Sequence, residues 1–310
     1  MSHSHDHNHS HGHGHHHHGI NSTGSRLMIT MVMNFVITIV QIIGGIISGS
    51  LSLISDALHN FSDGVSVILS YIAIKLKGRK NSERHTFGLK RAEILAAVIN
   101  SSVLVVVALY LFYESALRFI EPKEIDSHTM TIVAAIGLIP NIIGAVLLKR
   151  DSATSMNIKS SYLHLVSDSV FSVAVILGGL AITFWQIYWI DPLLTVFIGI
   201  YIIRESYSII KDATHILMEG APDIPVEEIE TEVLKIKEVQ NIHHIHLWSV
   251  GENDIHIEAH VNVNDMMISK SSEILYKVEK VMKDKFKINH VTLQFECNQC
   301  PEAELIEQHK

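Results

Sequence analysis

Six apolar stretches, at about residues 27–47, 51–76, 92–113, 129–148, 161–184 and 189–210, limit what this chain can fold into. Each runs to about 20 residues or more, enough as a helix to cross roughly 30 Å of hydrocarbon. Only 18% of the 310 residues are charged, and the charges crowd outside residues 27–210. That division separates a membrane domain from a C-terminal segment of about a hundred residues, long enough for a small soluble domain. No basic region precedes a short apolar one at the N-terminus, so 27–47 reads as a retained span and not as a signal peptide.

The connections set an orientation. The second carries Lys77, Arg79, Lys80, Arg84, Lys90 and Arg91, and the fourth Lys149, Arg150 and Lys159. The third holds Glu114, Glu121, Glu124 and Asp126 against Arg118 and Lys123, and the fifth has Trp185, Tyr188, Trp189 and Asp191 without a Lys or Arg. Basic connections face the cytoplasm and aromatic belts mark interfaces, so both termini are expected in the cytoplasm. Gly137 and Pro140 are expected to bend the fourth helix.

Past residue 210 the pattern changes. Asp223 is expected to cap a helix over 224–237. Strands follow at 239–250 and 254–263, joined by a turn at 251–253; then come a helix at 269–285 and a strand at 290–296. The stretch 254–263 alternates, with Ile255, Ile257, Ala259, Val261 and Val263 on one face and His256, Glu258, His260 and Asn262 on the other. The order α-β-β-α-β predicts a ferredoxin-like α+β domain lacking a first strand. The expected fold class is thus membrane α-helical, with six transmembrane helices over 26–210 and a cytosolic ferredoxin-like domain over 211–300. A His-rich arm occupies 1–25 and a short tail 301–310.

Ionisable residues inside the apolar runs carry the chemistry. A charge at the bilayer centre costs roughly 2.5–3.5 kcal/mol, so such residues face a partner, an ion or a water path. The second run holds Asp56, His59 and Asp63 on one helical face, with His59 and Asp63 spaced i, i+4. The fifth run repeats that pair as His164 and Asp168. Two imidazoles and two carboxylates make the ligand count of a tetrahedral zinc site. They suit Zn²⁺, Cd²⁺ and Co²⁺, with Fe²⁺ and Mn²⁺ left open. The bland alternative is a pair of helix-packing hydrogen bonds, which two copies at mid-membrane disfavour.

Four ligands leave no position for a water, which suits binding and release of an ion better than hydrolysis. No phosphate-binding Gly-x-x-x-x-Gly-Lys-Ser/Thr loop is present, so no ATP motor is visible in this chain. His and Asp hold metal only when deprotonated, which couples metal exchange to protons. The net charge of −8 does not suggest a nucleic-acid partner, and nothing implies an organic cofactor.

Of the 22 histidines, ten lie between His3 and His18. Their interleaving with Ser, Asp, Asn and Gly argues against a designed tag. This low-complexity arm reads as disordered without metal, and as a loose buffer or delivery segment. Cys297 and Cys300 have zinc-clip spacing, although two cysteines cannot close a zinc site alone.

The segments Ser55-Asp-Ala-Leu-His59-Asn-Phe-Ser-Asp63, His164-Leu-Val-Ser-Asp168, His85-Thr-Phe-Gly88, Arg91-Ala-Glu93 and Ile242-His-His-Ile-His-Leu-Trp-Ser249 resemble the cation diffusion facilitator family. So does the His-rich start, and the resemblance runs from Leu27 to Glu296, closest to the zinc/cadmium efflux members. It implies a homodimer in a lipid membrane that exchanges a metal ion for protons by alternating access. His59, Asp63, His164 and Asp168 would be the transport site, and Asp56 would support those ligands or carry protons. It also implies a regulatory zinc site in the cytosolic domain at His243, His260 and Glu296, joined by His290, with Cys297 and Cys300 nearby. His244, His246 and His256 read as surface residues. Glu83 and His85 match part of a loop site whose next histidine position is Leu89 here. Arg91 and Glu219 match a charge pair at the membrane base.

The reading that results is an exporter of Zn²⁺, with Cd²⁺ and Co²⁺ as further substrates, in a bacterial inner membrane. Alternatives are an Fe²⁺- or Mn²⁺-directed exporter of the same family, a membrane-bound metal sensor or buffer, a metallohydrolase and an ion channel.

Overall fold

The structure is a computed structural model and describes residues 23–77, 81–149, 156–251, 254–297 and 305–306. Six long helices come first: α1 (Thr23–Ser48), α2 (Leu51–Lys77), α3 (Ala92–Ile120), α4 (Ser127–Leu148), α5 (Met156–Trp185) and α6 (Ile190–Leu217). The short helix α7 (Val226–Val233) follows, then β1 (Val239–Gly251), β2 (Asp254–Val263), α8 (Ile268–Phe286) and β3 (His290–Cys297). The chain forms two compact units: Met1–Tyr71 with Ile99–Ser208, and Ile72–Val98 with Ile209–Lys310. The expected arm at 1–25 falls almost wholly outside the described residues.

The first unit is a helical bundle. Among the described residues, four helical segments are long and apolar enough to cross a membrane: Ala92–Ile120, Ser127–Leu148, Tyr162–Trp185 and Ile190–Leu217. Its core joins Leu53, Ala108, Met130, Ala134, Val175 and Ile198. Large apolar side chains also cover the outside, among them Val106, Leu147 and Leu177. A chain that is apolar inside and out is solvated by lipid, not water.

Asp126 starts α4 by accepting hydrogen bonds from the Thr129 amide (3.2 Å) and hydroxyl (2.5 Å). The helix continues through Pro140 as one element. At Gly137 a Cβ would strike the Gln41 amide, so the missing side chain lets Gln41 of α1 pass. Gly49, at φ 73°, makes the tight turn from α1 into α2.

The first turn of α2 is capped from a distant helix. Asp191, fully buried at the start of α6, accepts from Ser50 Oγ (2.6 Å), Ser52 Oγ (2.6 Å), the Leu51 amide (2.8 Å) and the Ser52 amide (3.1 Å). Arg118 of α3 lies 3.7 Å from the same carboxylate and donates to the Gly49 carbonyl. One acidic residue thus ties three helices at one end of the bundle.

The second unit holds the sheet, in order β1-β2-β3. β1 and β2 are antiparallel, pairing Val239 with Val263 and Gly251 with Asp254. β2 and β3 are parallel, from His256 opposite His290 to Val263 opposite Cys297. A parallel connection needs a crossover, and α8 supplies it, burying Ile274, Val278 and Met282 against Ile257, Ala259 and Val261. Together with α7, this is the α-β-β-α-β order read from the sequence.

Two details differ from expectation. Helix α7 begins after Pro225 with no side-chain cap, so Asp223 does not cap it, and it ends at Val233 and not near 237. Proline's fixed φ suits a helix start, and it drives the residue before it out of the helical region. The polar face of β2 is also not simply solvated: His256 is 3% exposed and Asn262 2%. The ring of Phe87 packs edge-on against His256 at 5.5 Å, and Trp248 lies 5.6 Å away.

Candidate metal sites

Helices α2 and α5 bring the two His-Asp pairs together. His164 Nε2 lies 3.2 Å from Asp63 Oδ2 and 3.5 Å from Asp168 Oδ2. His59 Nε2 lies 3.8 Å from Asp63 Oδ2 and 3.6 Å from Asp168 Oδ1. Each imidazole therefore faces both carboxylates, one from its own helix at i+4 and one across the helix pair. The donor atoms of His59, Asp63 and His164 all lie within 4.8 Å of one another. The i, i+4 spacing makes this possible, since it stacks two side chains on one face a single turn apart.

The site has a closed side and an open side. His59 and Asp168 are 2% and 3% exposed, while about a third of the Asp63 and His164 side chains is accessible. Both ring nitrogens of His59 and Oδ1 of Asp168 are buried without a hydrogen-bond partner. An unpaired buried polar atom costs about 1–3 kcal/mol, and a divalent cation among these donors would remove that cost.

Asp56 sits on the same face of α2, one turn before His59, and is 1% exposed. It accepts from Gln41 Nε2 (3.3 Å) and Ser172 Oγ (3.2 Å), which makes it a link between α1, α2 and α5. Two residues not foreseen join the site from α6. Glu205 Oε2 lies 3.9 Å from His59 Nε2, and the Tyr201 ring meets His59 edge-on at 5.7 Å. Glu205 also falls inside an apolar run, but beside Arg204 and near its end.

A second cluster crosses all three strands. His260 Nδ1 lies 2.9 Å from Glu296 Oε1, and His243 Nε2 lies 3.4 Å from Glu296 Oε2. His243 and His260 are direct cross-strand partners, while Glu296 stands opposite Asn262 on the far strand. The register of β1 shifts between His243 and His246, and His244 takes a positive φ of 53° there. That bulge lets Ile242 and His243 both be buried in succession. The Asn241 side chain contacts His243 Nδ1 at 3.0 Å, and Gln294 donates to Glu296 Oε1 at 2.8 Å. His243 Nε2 and Glu296 Oε2 are buried without a hydrogen-bond partner.

His290 is not beside these three. It opens β3, six residues before Glu296, or roughly 20 Å along a strand. It pairs instead with His256, ring to ring at 4.7 Å. Burial holds the His256 imidazole below its ordinary value of 6.5, helped by His290 and Lys90 and opposed by Asp254. Cys297 follows Glu296 and is exposed, and Cys300 lies outside the described residues. Glu83 and His85 are exposed in the connection after α2 and join neither cluster. Arg91 Nη2 and Glu219 Oε1 form an ion pair at 3.2 Å, next to one between Lys90 Nζ and Asp254 Oδ2 at 2.9 Å.

Comparison with known proteins identifies the family. Residues 27–218 match the cation efflux transmembrane domain and residues 221–297 the cation efflux protein cytoplasmic domain. The chain is 39% identical over 274 residues to the cadmium, cobalt and zinc/H(+)-K(+) antiporter of Bacillus velezensis, covering 87% of each. It is 36% identical over 279 residues to the metal cation efflux system protein CzcD of Cupriavidus metallidurans, covering 90% of this chain and 88% of that one. It is 31% identical over 283 residues to the zinc transporter ZitB of Pectobacterium atrosepticum, again covering 90% and 88%. The chain is an integral membrane protein of the cation diffusion facilitator family, a cation efflux transporter and not an enzyme.

Proposed function

We propose that this protein exports Zn²⁺, and with it Cd²⁺ and Co²⁺, from the cytosol in exchange for protons, by alternating access. The convergence of His59, Asp63, His164 and Asp168 from two helices carries this reading, with their unpaired buried nitrogen and oxygen atoms. The relatives named for zinc, cadmium and cobalt support the choice of ions. Two carboxylates balance a divalent cation, and neutral imidazoles complete a tetrahedral shell. When the site faces outward, protons compete for those imidazoles and carboxylates and release the ion.

Energetics constrain the stoichiometry. At about 100 mV, inside negative, each charge moved is worth roughly 2.3 kcal/mol. Export of a divalent ion costs about twice that and one entering proton returns half, so a one-for-one exchange draws on a pH or metal gradient. The six helices would span a bacterial inner membrane with both termini in the cytoplasm. The cytoplasmic domain would pair two copies as a homodimer and hold a regulatory zinc ion at His243, His260 and Glu296.

Everted vesicles containing the protein should accumulate zinc when a proton gradient, acid inside, is imposed. Asp63→Ala and Asp168→Ala should each remove that uptake. Full uptake by both variants would overturn the site, and uptake indifferent to the gradient would overturn proton coupling.

A further inference from the structure

We propose that Glu205 is a fifth ligand of the transported ion, contributed by α6, and that its carboxylate tunes the choice between Cd²⁺ and Zn²⁺. This rests on the reading that His59, Asp63, His164 and Asp168 hold the ion. Three observations carry it. Glu205 Oε2 lies 3.9 Å from His59 Nε2, just beyond the 3.8 Å between that nitrogen and Asp63 Oδ2. That oxygen is buried and has no hydrogen-bond partner, although Arg204 precedes it on the helix. One turn before it on α6, Tyr201 packs edge-on against His59 at 5.7 Å and, tilted, against Phe171 at 4.8 Å, so this face of α6 is the wall of the site.

The charge pattern leaves little else for Glu205 to do. Asp63, Asp168 and Glu205 put three carboxylates around two imidazoles. No Lys or Arg is paired with any of the three among the described residues. Like charges this close repel, and a divalent cation is the group that would draw all three inward. Glu has one more methylene than Asp, and a small rotation about it carries Oε2 toward the centre of the donor set. Zn²⁺ is satisfied by four ligands in a tetrahedron and expands to five with some strain. Cd²⁺ is larger and accepts a fifth oxygen readily, so a mobile carboxylate at the wall should favour it.

The test compares Zn²⁺ and Cd²⁺ uptake by full-length protein in proteoliposomes, for the parent, Glu205→Gln, Glu205→Asp and Asp168→Ala. Glu205→Gln should lower the Cd²⁺-to-Zn²⁺ ratio of kcat/KM by about ten-fold, at the low end of the 10–100-fold losses that ligand-supporting groups cause. Most of the change should lie in KM for Cd²⁺, and Glu205→Asp should recover part of it. Co²⁺ absorption gives a second readout: the parent-minus-Gln difference should show the variant gaining intensity, as a tetrahedral ion absorbs more strongly than a five-coordinate one. An unchanged ratio and spectrum overturn the proposal. So does an equal loss for both metals with an unchanged spectrum, which marks a merely structural role. If Asp168→Ala transports at the parent rate, the four-ligand site itself is wrong. If Asp168→Ala is dead and Glu205→Gln is unaltered, only the fifth ligand is.

Discussion

Asp191→Ala should destabilise the helical bundle by about 2–7 kcal/mol, an estimate built from its hydrogen bonds. The Asp191 carboxylate accepts four hydrogen bonds from Ser50, Leu51 and Ser52 and is fully buried. Without it, the two hydroxyls can turn to each other, since Ser50 Oγ and Ser52 Oγ are already 3.3 Å apart. The Leu51 and Ser52 amides cannot turn. Two buried donors without acceptors cost about 1–3 kcal/mol each, and loss of a negative charge at the start of α2 adds roughly 0.3–1 kcal/mol. Arg118 also loses its nearest charge on this side, but it keeps Glu114 at 3.4 Å. Asp191→Asn should lose about half as much, because its remaining oxygen still serves part of the set while its amide opposes the Leu51 donor. The assay is reversible unfolding in mixed micelles, read by circular dichroism for parent and both variants. A loss below about 1 kcal/mol in Asp191→Ala would refute the claim that this residue caps α2, since even an ordinary cap is worth about that. The KM for zinc of whatever protein remains folded should not change, because the residues Asp191 caps lie about two turns before His59 on α2 and its carboxylate touches none of the proposed ligands.

Two further outcomes follow from the second unit. His256 is a base held below 6.5 by burial, His290 and Lys90, so the unfolded chain takes up a proton that the folded one refuses. Stability of this unit should therefore be pH-independent above 6.5 on this residue's account and fall as the pH drops below it. Trp248 fluorescence would follow the transition in a chain whose Trp185 and Trp189 are Phe, and His256→Phe should flatten the dependence. His243→Ala should weaken zinc binding by the cytosolic cluster by about 10-fold or more while leaving Glu296 to hold His260, as seen by calorimetry on protein already carrying Asp63→Ala and Asp168→Ala. Unaltered zinc affinity would show that the three-strand cluster is a polar network and not a metal site.

The helices and their order were legible because the lipid requirement is severe: about 20 apolar residues are needed per crossing, and polar residues inside such runs stand out. That contrast is also why His59, Asp63, His164 and Asp168 could be singled out as two copies of one spacing. Glu205 escaped notice because it follows Arg204 near the end of its run, where a charge reads as a helix leaving the membrane. Asp191 escaped because it stands among aromatic residues in a connection, and nothing local says that its carboxylate reaches the start of a helix 140 residues earlier. The sheet was legible from alternation, but its polar face was not. Alternation treats His243 and His244 as opposite sides of one strand, and only the bulge after His243 decides which of them is buried. His256 reads as solvated for the same reason: the Phe87 ring that packs on it lies some 170 residues away in sequence.

The buried polar atoms left without partners explain how both clusters can respond to metal. Among the described residues these atoms include Nδ1 and Nε2 of His59, Oδ1 of Asp168 and Oε2 of Glu205 in one unit, and Nε2 of His243 and Oε2 of Glu296 in the other. Each such atom costs about 1–3 kcal/mol, so the metal-free form of either unit carries several kcal/mol that a bound cation would relieve. Binding to the folded form alone would then add stability as RT ln(1 + [L]/Kd). The two sites should differ in how far this goes. In the cytosolic cluster, an ion with the proposed regulatory role would have no need to leave quickly, and the gain could be large. In the membrane cluster the gain must stay moderate, because cargo held too tightly is never released. The open side at Asp63 and His164, each about a third accessible, supplies that limit. It leaves two of the four proposed ligands within reach of water and protons, so that on the proposed reading an ion would be exchanged from one side while His59 and Asp168 held it from the other.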